Sequence, residues 1–322
     1  MTIDASLILR AAADAAGAQQ YPKATLYVVA TPIGNLADIS LRALHVLALV
    51  DAVACEDKRV SAGLLRHYGI AAKPLLALHE HNEAEAAQRV LERLTRGERV
   101  ACVSDAGTPA VSDPGARLVV AARAAGHRVL PLPGPSSVTA ALSVAGDTRA
   151  GSFRFAGFLS TRAAERAAQL RELQRPGEAV VLFEAPHRIA ALAAALAEVM
   201  PGRPVTLCRE LTKQFETIAT LSASALPPWL DADANRQRGE FVLVLHAPPE
   251  ASGVAEALPE AAERLLEALL EARPLKQAVA LAAEAGVAPR NLLYRRALAL
   301  RAEAGEGASD AADPPGGQES AG

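Results

Sequence analysis

Short apolar runs alternate with stretches of helical spacing along the first 145 residues of the chain. The runs predict buried strands at residues 26–30, 52–55, 99–104 and 127–132. Between them, apolar residues recur at helical spacing, most clearly over residues 41–49. Because strands that alternate with helices pair in parallel, the pattern predicts an α/β fold with a mainly parallel, open sheet.

A second α/β unit follows, with strands predicted at residues 180–184, 205–210, 217–221 and 240–245. We expect the last two to pair antiparallel within a mixed sheet. Three short helices are predicted after it. The predicted organisation is a flexible extension (1–22), an N-terminal α/β domain (23–145), a C-terminal α/β domain (146–248), a helical module (256–302) and a disordered acidic tail (303–322).

Composition narrows the class of protein. Hydrophobic residues make up 51% of the 322 residues, which excludes a disordered chain, and the low aromatic content of 3% predicts aliphatic cores. The three cysteines lie far apart in apolar runs, so we expect buried, reduced thiols and a cytoplasmic protein. No apolar stretch approaches the roughly 18 residues that a membrane span needs, so no membrane is expected.

The net charge of −3 hides an uneven distribution. Five acids and no Lys or Arg lie within residues 302–322, which leaves +2 for the rest of the chain. Six arginines fall within residues 149–175, and several more lie in the helical module. These basic stretches are compatible with a nucleic-acid partner, although solvated amphipathic helices explain them equally well.

Three turns containing glycine or proline follow predicted parallel strands, at residues 31–35, 104–109 and 133–137. Ligands of open α/β sheets bind beyond the carboxyl ends of the strands, so these turns predict a site at that edge. None of them matches a phosphate-binding P-loop or a dinucleotide fingerprint. A nucleotide-binding oxidoreductase is therefore disfavoured.

Two charged motifs have competing interpretations. Glu56-Asp57-Lys58-Arg59 ends a strand and could take a proton from a hydroxyl and hold a phosphate, or it could be a solvated loop. His79-Glu80-His81-Asn82 suggests a metal, but spacing supplies no third ligand, and we expect no metal site. Asn82 is instead predicted to cap a helix, with Glu85 completing a capping box.

The motifs occur in an order that resembles the 16S rRNA (cytidine-2′-O)-methyltransferases of the tetrapyrrole methylase-like superfamily. The resemblance covers residues 26–245 and, more loosely, the helical module. The motifs are Ala30-Thr31-Pro32-Ile33-Gly34-Asn35-Leu36, Cys55-Glu56-Asp57, His79-Glu80-His81-Asn82-Glu83, Ser104 to Pro109, Ser112-Asp113-Pro114-Gly115, Pro133-Gly134-Pro135-Ser136, Gly157-Phe158-Leu159, Pro186-His187-Arg188, Arg209-Glu210-Leu211-Thr212-Lys213 and Gly239-Glu240-Phe241-Val242.

This resemblance implies S-adenosyl-L-methionine in the crevice between two α/β domains, a homodimer, and methylation of a cytidine ribose in the decoding region of the small ribosomal subunit. It also implies which residues contact the cofactor: Ile33, Gly107, Thr108, Ser136, Ser137, Phe183 and Glu184. Lys58 stands where the family usually has Thr, so no role is carried over to that position.

A ribose hydroxyl is a poor nucleophile at neutral pH, so we hypothesise that a carboxylate takes its proton. Asp57 and Asp105 are the candidate catalytic residues, and Arg59, Arg188 and Lys213 are expected to bind RNA phosphates. Two alternatives stay open. One is methylation of a porphyrin or corrin precursor, and the other is an RNA-binding ribosome assembly factor without catalysis.

Overall fold

The computed structural model describes residues 5–79, 82–248 and 258–306. The described part of the chain forms two compact units, which divide after residue 248. Both sheets belong to the first unit, and the second unit is helical.

The first sheet contains five parallel strands in the spatial order β3-β2-β4-β1-β5. They are β1 (Thr25–Val29), β2 (Ala52–Cys55), β3 (Leu75–Ala77), β4 (Val100–Val103) and β5 (Arg128–Leu132). The parallel sheet confirms the prediction from the apolar runs. Only β3 was not predicted, because it has three half-buried residues at the sheet edge and gives no clear run.

Six helices accompany this part of the chain: α1 (Ala5–Ala16), α2 (Leu41–Leu49), α3 (Lys58–His67), α4 (Glu83–Thr95), α5 (Ala116–Ala124) and α6 (Ser137–Ala145). Neighbouring residues of β1 point into different cores. Tyr27 packs among residues of α1 and α2, whereas Leu26 packs among residues of α4 and α5. Covering both faces in this way explains why the strands are almost uniformly apolar.

The N-terminal segment differs from the flexible extension that we predicted for residues 1–22. Helix α1 buries Ala12 and Ala16, and its apolar side chains join the core beside α2. The hydroxyl of Tyr21 donates to the carbonyl of Ala16 at 3.0 Å and fixes the end of the helix. The weak apolar signal of this segment gains its stability from tertiary packing rather than from helix propensity.

The predicted capping box at α4 is wrong. The side chain of Asn82 accepts from the backbone N–H of His79 at 2.9 Å and donates to the carbonyl of Ala77 at 3.1 Å. It therefore closes the turn after β3 and makes no capping bond to α4. Glu83 accepts from the backbone N–H of Gly115 at 2.9 Å, which ties α4 to the start of α5.

The second sheet is mixed, as predicted, with the order β6-β7-β10-β8-β9. Its strands are β6 (Ser152–Gly157), β7 (Glu178–Glu184), β8 (Pro204–Arg209), β9 (Thr217–Ser222) and β10 (Phe241–Leu245). β6 and β7 pair in parallel, and the other neighbours pair antiparallel. We expected β9 and β10 to pair with each other, but β8 lies between them. The fully buried β10 lies at the centre of the sheet, and β9, whose residues alternate in burial, lies at an edge.

Three helices follow strands of this sheet: α7 (Ala163–Glu172), α8 (Ile189–Val199) and α9 (Leu226–Asp231). Helix α6 also packs on the second sheet, since Val138 and Ala141 share a core with Val181 and Val244. The predicted boundary at residues 145/146 assigned α6 to the first domain, whereas its apolar face belongs by packing to the second sheet. The chain thus passes from one sheet to the other before α6.

The second unit contains α10 (Glu260–Ala272), α11 (Leu275–Glu284) and α12 (Arg290–Glu306). Leu258, Leu266, Val279 and Leu293 form its core, and Arg296 pairs with Glu263 at 2.6 Å. Helix α12 continues to residue 306, beyond the predicted start of the acidic tail. The rest of that tail lies outside the described residues.

All three cysteines are buried and unpaired, as predicted: Cys55, Cys102 and Cys208. Within the described residues, no helix combines the length and apolar character that crossing a membrane requires.

Candidate active site

A cavity of about 420 Å³ lies in the first unit, where the loops that follow strands of the two sheets meet. The seven residues predicted to contact a cofactor all line it: Ile33, Gly107, Thr108, Ser136, Ser137, Phe183 and Glu184. The structure therefore brings them together around one space of a size typical of small-molecule sites. Their roles as ligands stay a prediction.

The three predicted turns are joined by hydrogen bonds. The backbones of Thr31 and Gly107 exchange N–H···O bonds of 2.9 and 3.0 Å, and Thr108 donates its hydroxyl to the carbonyl of Pro135 at 3.1 Å. Gly107 has φ +86°, and a Cβ there would lie 3.4 Å from Cγ2 of Ile33. A glycine at this position lets a ligand approach the backbone closely.

Aromatic packing fixes the opposite wall. Phe183, near the end of β7, meets Phe155 and Phe158 edge to face, with ring centroids 4.9 and 5.7 Å apart. Leu211 and Val242 continue this apolar surface along the second sheet. The wall can therefore pack against a flat ring.

Glu184 supplies the buried polar group of this wall. Its side chain is 1% exposed, and Oε1 accepts from the backbone N–H of Ala185 at 2.9 Å. Oε2 is buried and has no hydrogen-bond partner in the part of the chain that the structure describes. Because an unpaired buried acceptor is costly, Oε2 is suited to a donor group of a ligand.

Arg188 was predicted to bind RNA phosphate, but its side chain is turned inward. Its Nε forms an ion pair with Oε1 of Glu184 at 3.0 Å, without the alignment of a hydrogen bond. Its Nη2 donates to the carbonyl of Leu159. At 19% exposure, the guanidinium orients and neutralises Glu184 rather than facing solvent.

Lys213, the second predicted phosphate ligand, is also engaged by acids. Its Nζ lies 2.8 Å from Oε1 of Glu210 and 2.9 Å from Oε2 of Glu240, a residue that lines the cavity. A Cβ at Gly34 would collide with the Lys213 side chain. Lys213 thus connects the first loop to the end of the second sheet. Arg59, by contrast, is 91% exposed.

The two candidate catalytic acids differ in their surroundings. Asp57 caps α3 by accepting from the backbone N–H of Arg59, and its carboxylate pairs with the guanidinium of Arg59 at 2.7 Å. The hydrogen bonds from Arg59 lower the pKa of Asp57 to about 2. Asp105 accepts from the backbone N–H of Asp57 at 3.0 Å. Neither lines the large cavity, whereas Asp105 lines a second cavity beside it.

Asp113 is an acid of the site that the sequence analysis did not single out. It lines the large cavity, and burial, with a smaller contribution from Glu56, raises its pKa to about 6. The preceding loop is strained, since Ala110 and Ser112 have φ of +66° and +69°. Asp113 belongs to one of the motifs that carry the family resemblance, Ser112-Asp113-Pro114-Gly115, but no local sequence pattern reveals that its side chain is half buried.

No group of three or more His, Cys, Asp or Glu side chains among the described residues is placed to hold a metal ion. Part of the motif at residues 79–82 lies outside those residues.

Two family models match the chain. Residues 25–227 match the Tetrapyrrole (Corrin/Porphyrin) Methylases, and residues 256–301 match the RsmI C-terminal HTH domain. The first match covers the first sheet and the second sheet up to β9, and the second match covers most of the helical unit.

Relatives named ribosomal RNA small subunit methyltransferase I are similar over most of their length. The protein from Pseudomonas aeruginosa is 49% identical over 275 residues, covering 85% of this chain and 96% of the relative. The protein from Escherichia coli O157:H7 is 44% identical over 276 residues, with 85% and 94% covered. The protein from Mesorhizobium japonicum is 44% identical over 283 residues, with 88% and 94% covered.

Solved structures share the fold at lower identity. Uroporphyrin-III-C-methyltransferase from Thermus thermophilus has a TM-score of 0.51 and 22% identity, over 70% of this chain and 94% of that one. A diphthine synthase has a TM-score of 0.52 and 19% identity, over 69% and 90%. The chain belongs to the ribosomal RNA small subunit methyltransferase I family, within the tetrapyrrole methylases, and is an S-adenosylmethionine-dependent methyltransferase.

Proposed function

We propose that the protein methylates the 2′-hydroxyl of a cytidine ribose in the decoding region of 16S rRNA, within the small ribosomal subunit. The observation that carries the proposal is the cavity enclosed by loops of both sheets, with the seven predicted cofactor residues around it. The names of the similar proteins support ribosomal RNA as the substrate class. Such a substrate would place the protein in the cytoplasm.

The lining of the cavity fits the cofactor. Oε2 of Glu184 would accept from an amino or hydroxyl group, and Phe183 and Ile33 would flank a flat ring. Ser136 precedes α6 and makes no side-chain capping bond, so its hydroxyl would be available to the ligand, as would that of Ser137. When bound, the group supplies a methyl on a positively charged sulfur. The residues of the chain align that methyl with the acceptor oxygen.

Proton removal from the ribose hydroxyl is the chemical step that this chain would assist. A positioned carboxylate contributes roughly 10²–10⁴-fold to such a transfer. We assign this role to Asp105 in preference to Asp57, whose carboxylate is bound by Arg59 and whose low pKa makes it a weak base. Asp105 lies immediately before Ala106 and Gly107, which line the large cavity.

Phosphate binding would be divided between Arg59 and the helical unit. The exposed guanidinium of Arg59 is able to reach RNA, and residues 256–301 match a module named for its helix–turn–helix. For Arg188 and Lys213 we infer a different role, in which both position acids of the cavity wall. A homodimer and independence from metal ions stay predictions, which sedimentation and activity in the presence of a chelator would test.

The proposal is tested by incubating the purified protein with labelled S-adenosylmethionine and small subunits from cells that lack the modification. We expect one 2′-O-methylcytidine in digested 16S rRNA. Transfer to uroporphyrinogen instead of RNA would establish the porphyrin alternative. An absence of cofactor binding in calorimetry would favour the non-catalytic assembly factor.

A further inference from the structure

A second cavity, of about 400 Å³, lies beside the large one in the first unit. Its lining combines apolar side chains with two polar ones: Pro32, Gly34, Leu36, Val60, Gly63, Leu64, His67 and Asp105. None of the residues that the resemblance assigns to the cofactor is among them. The second cavity is therefore separate from the predicted cofactor site.

The two cavities share their dividing wall. In the first loop, Ile33 lines the large cavity, whereas its neighbours Pro32 and Gly34 line the second. In the loop after β4, Gly107 lines the large cavity, whereas Asp105 lines the second. The reciprocal backbone bonds described above join these loops into one partition. The two cavities therefore adjoin at these two short loops.

The chemistry of the second cavity suits a flat heterocycle with a polar edge. Leu36 and Val60 are 41% and 45% exposed and, with Leu64, give this lining an apolar surface. His67 and Asp105 offer hydrogen-bonding groups at the same lining. The hydroxyl of Tyr68 donates to the carbonyl of Leu36 at 2.5 Å and holds this wall in place.

We propose that the second cavity receives the base of the target nucleotide, turned out of the RNA, with its ribose at the partition beside Asp105. Enzymes that do chemistry on a base extrude the target nucleotide and hold its base between aromatic or apolar side chains with hydrogen bonds to its edge, and we extend this arrangement to an enzyme that acts on the ribose. The inference rests on the proposed function, because it requires an RNA substrate. It adds the subsite that would select the nucleotide.

Helix α3 allows a test with a matched control. A Cβ at Gly63 would meet no atom within 4 Å, so Gly63→Leu would extend into the cavity without a clash of its Cβ. Ala62 is the preceding residue of the same helix, is exposed, and lies outside the lining. Leucine is a good helix former at either position, so both variants should fold.

We expect Gly63→Leu to lower kcat/KM for methyl transfer to small subunits by about tenfold or more, because the base loses its site. Gly63→Ala should give an intermediate decrease. Ala62→Leu should match the wild-type protein, and all three should bind S-adenosylmethionine within about twofold of wild type in calorimetry, since the cofactor cavity is unchanged.

Different results would overturn different claims. A wild-type protein that binds the cofactor but does not methylate small subunits contradicts the proposed function. Wild-type transfer with equal rates for Gly63→Leu and Ala62→Leu overturns the base subsite alone. A parallel loss of cofactor affinity in Gly63→Leu also overturns it, since the cavity would then serve the cofactor.

Discussion

The acids of the two sheets have opposite electrostatic surroundings at the cavity. On the first sheet, Glu56, Asp105 and Asp113 face one another, and none has a cation at ion-pair distance within the described ranges. On the second sheet, Glu184 pairs with Arg188, and Lys213 lies between two further acids. The acids named on the first sheet therefore have no cation beside them among the described residues, whereas each acid named on the second sheet contacts a cation.

The acids of the two sheets are therefore suited to different roles, one set to the reaction and the other to holding the cofactor. Burial, with a smaller contribution from mutual repulsion, raises the pKa values of Glu56 and Asp113, so these acids on the first wall hold a proton more tightly than ordinary carboxyls do. Ion pairs on the second wall hold its side chains in fixed orientations. We therefore expect substitutions on the first wall to change turnover and those on the second to change cofactor affinity.

The largest expected effect is that of Asp105→Asn, which removes the proposed proton acceptor. We expect kcat to fall by about 10²–10⁴-fold with nearly unchanged cofactor affinity. Asp57→Asn is the matched control, because asparagine caps a helix as well as aspartate does. It should reduce kcat by less than about tenfold, since Asp57 is bound by Arg59. The reverse order in single-turnover kinetics would assign the proton transfer to Asp57.

The second wall is tested by Glu184→Gln. The substitution keeps the size of the side chain but removes the negative charge of a residue in the cavity lining, the proposed acceptor for the cofactor, so the cofactor Kd should increase by about 10- to 100-fold. Calorimetry measures the affinity, and thermal unfolding reports any loss of stability from the unpaired Arg188. An unchanged Kd would show that Oε2 does not contact the cofactor.

A smaller effect distinguishes the cations. Arg59→Ala should reduce the slope of log K for RNA binding against log salt concentration by about one. The reason is that its exposed guanidinium is the proposed phosphate ligand. Lys213→Met should leave that slope unchanged, since Lys213 is engaged by Glu210 and Glu240. Filter binding over a salt series measures both slopes. An equal reduction of the slope in both variants would mean that Lys213 binds an RNA phosphate, as the sequence predicted.

The sequence predicted the features that follow from local periodicity. Apolar runs located four parallel strands of the first sheet, and their turns predicted a site at the carboxyl edge. The motif resemblance added seven residues that all line one cavity. These features are local because each depends on a few consecutive residues.

Tertiary contacts decided the features that the sequence did not reveal. Lys213 is neutralised in part by Glu240, which comes from a distant strand, and α1 forms because α2 covers its apolar face. The exposure of Asp113 to the cavity depends on the left-handed conformations of Ala110 and Ser112. Lys213 and Asp113 are residue types that are common on protein surfaces, so their identity alone does not reveal these contacts.

The smallest expected effect is a change in the free energy of unfolding caused by substituting Asp113, an acid of the first sheet without a paired cation among the described residues. Because the folded pKa of Asp113 is about 6 and the unfolded value is about 3.9, the folded state binds the proton more tightly and the charged form destabilises it. Asp113→Asn should therefore stabilise the protein by about 1 kcal/mol at pH 7, a value limited by solvent screening of this half-buried group.

The stabilisation by Asp113→Asn should disappear as the pH falls, which distinguishes charge from packing. Between pH 6 and pH 4 the wild-type carboxyl becomes protonated in the folded state, so its penalty is lost and the two unfolding curves should converge. Urea unfolding at pH 7 and at pH 4 measures the difference. A stabilisation of equal size at both pH values would mean that asparagine packs better there, and the charge of Asp113 would then contribute nothing to the stability of the fold.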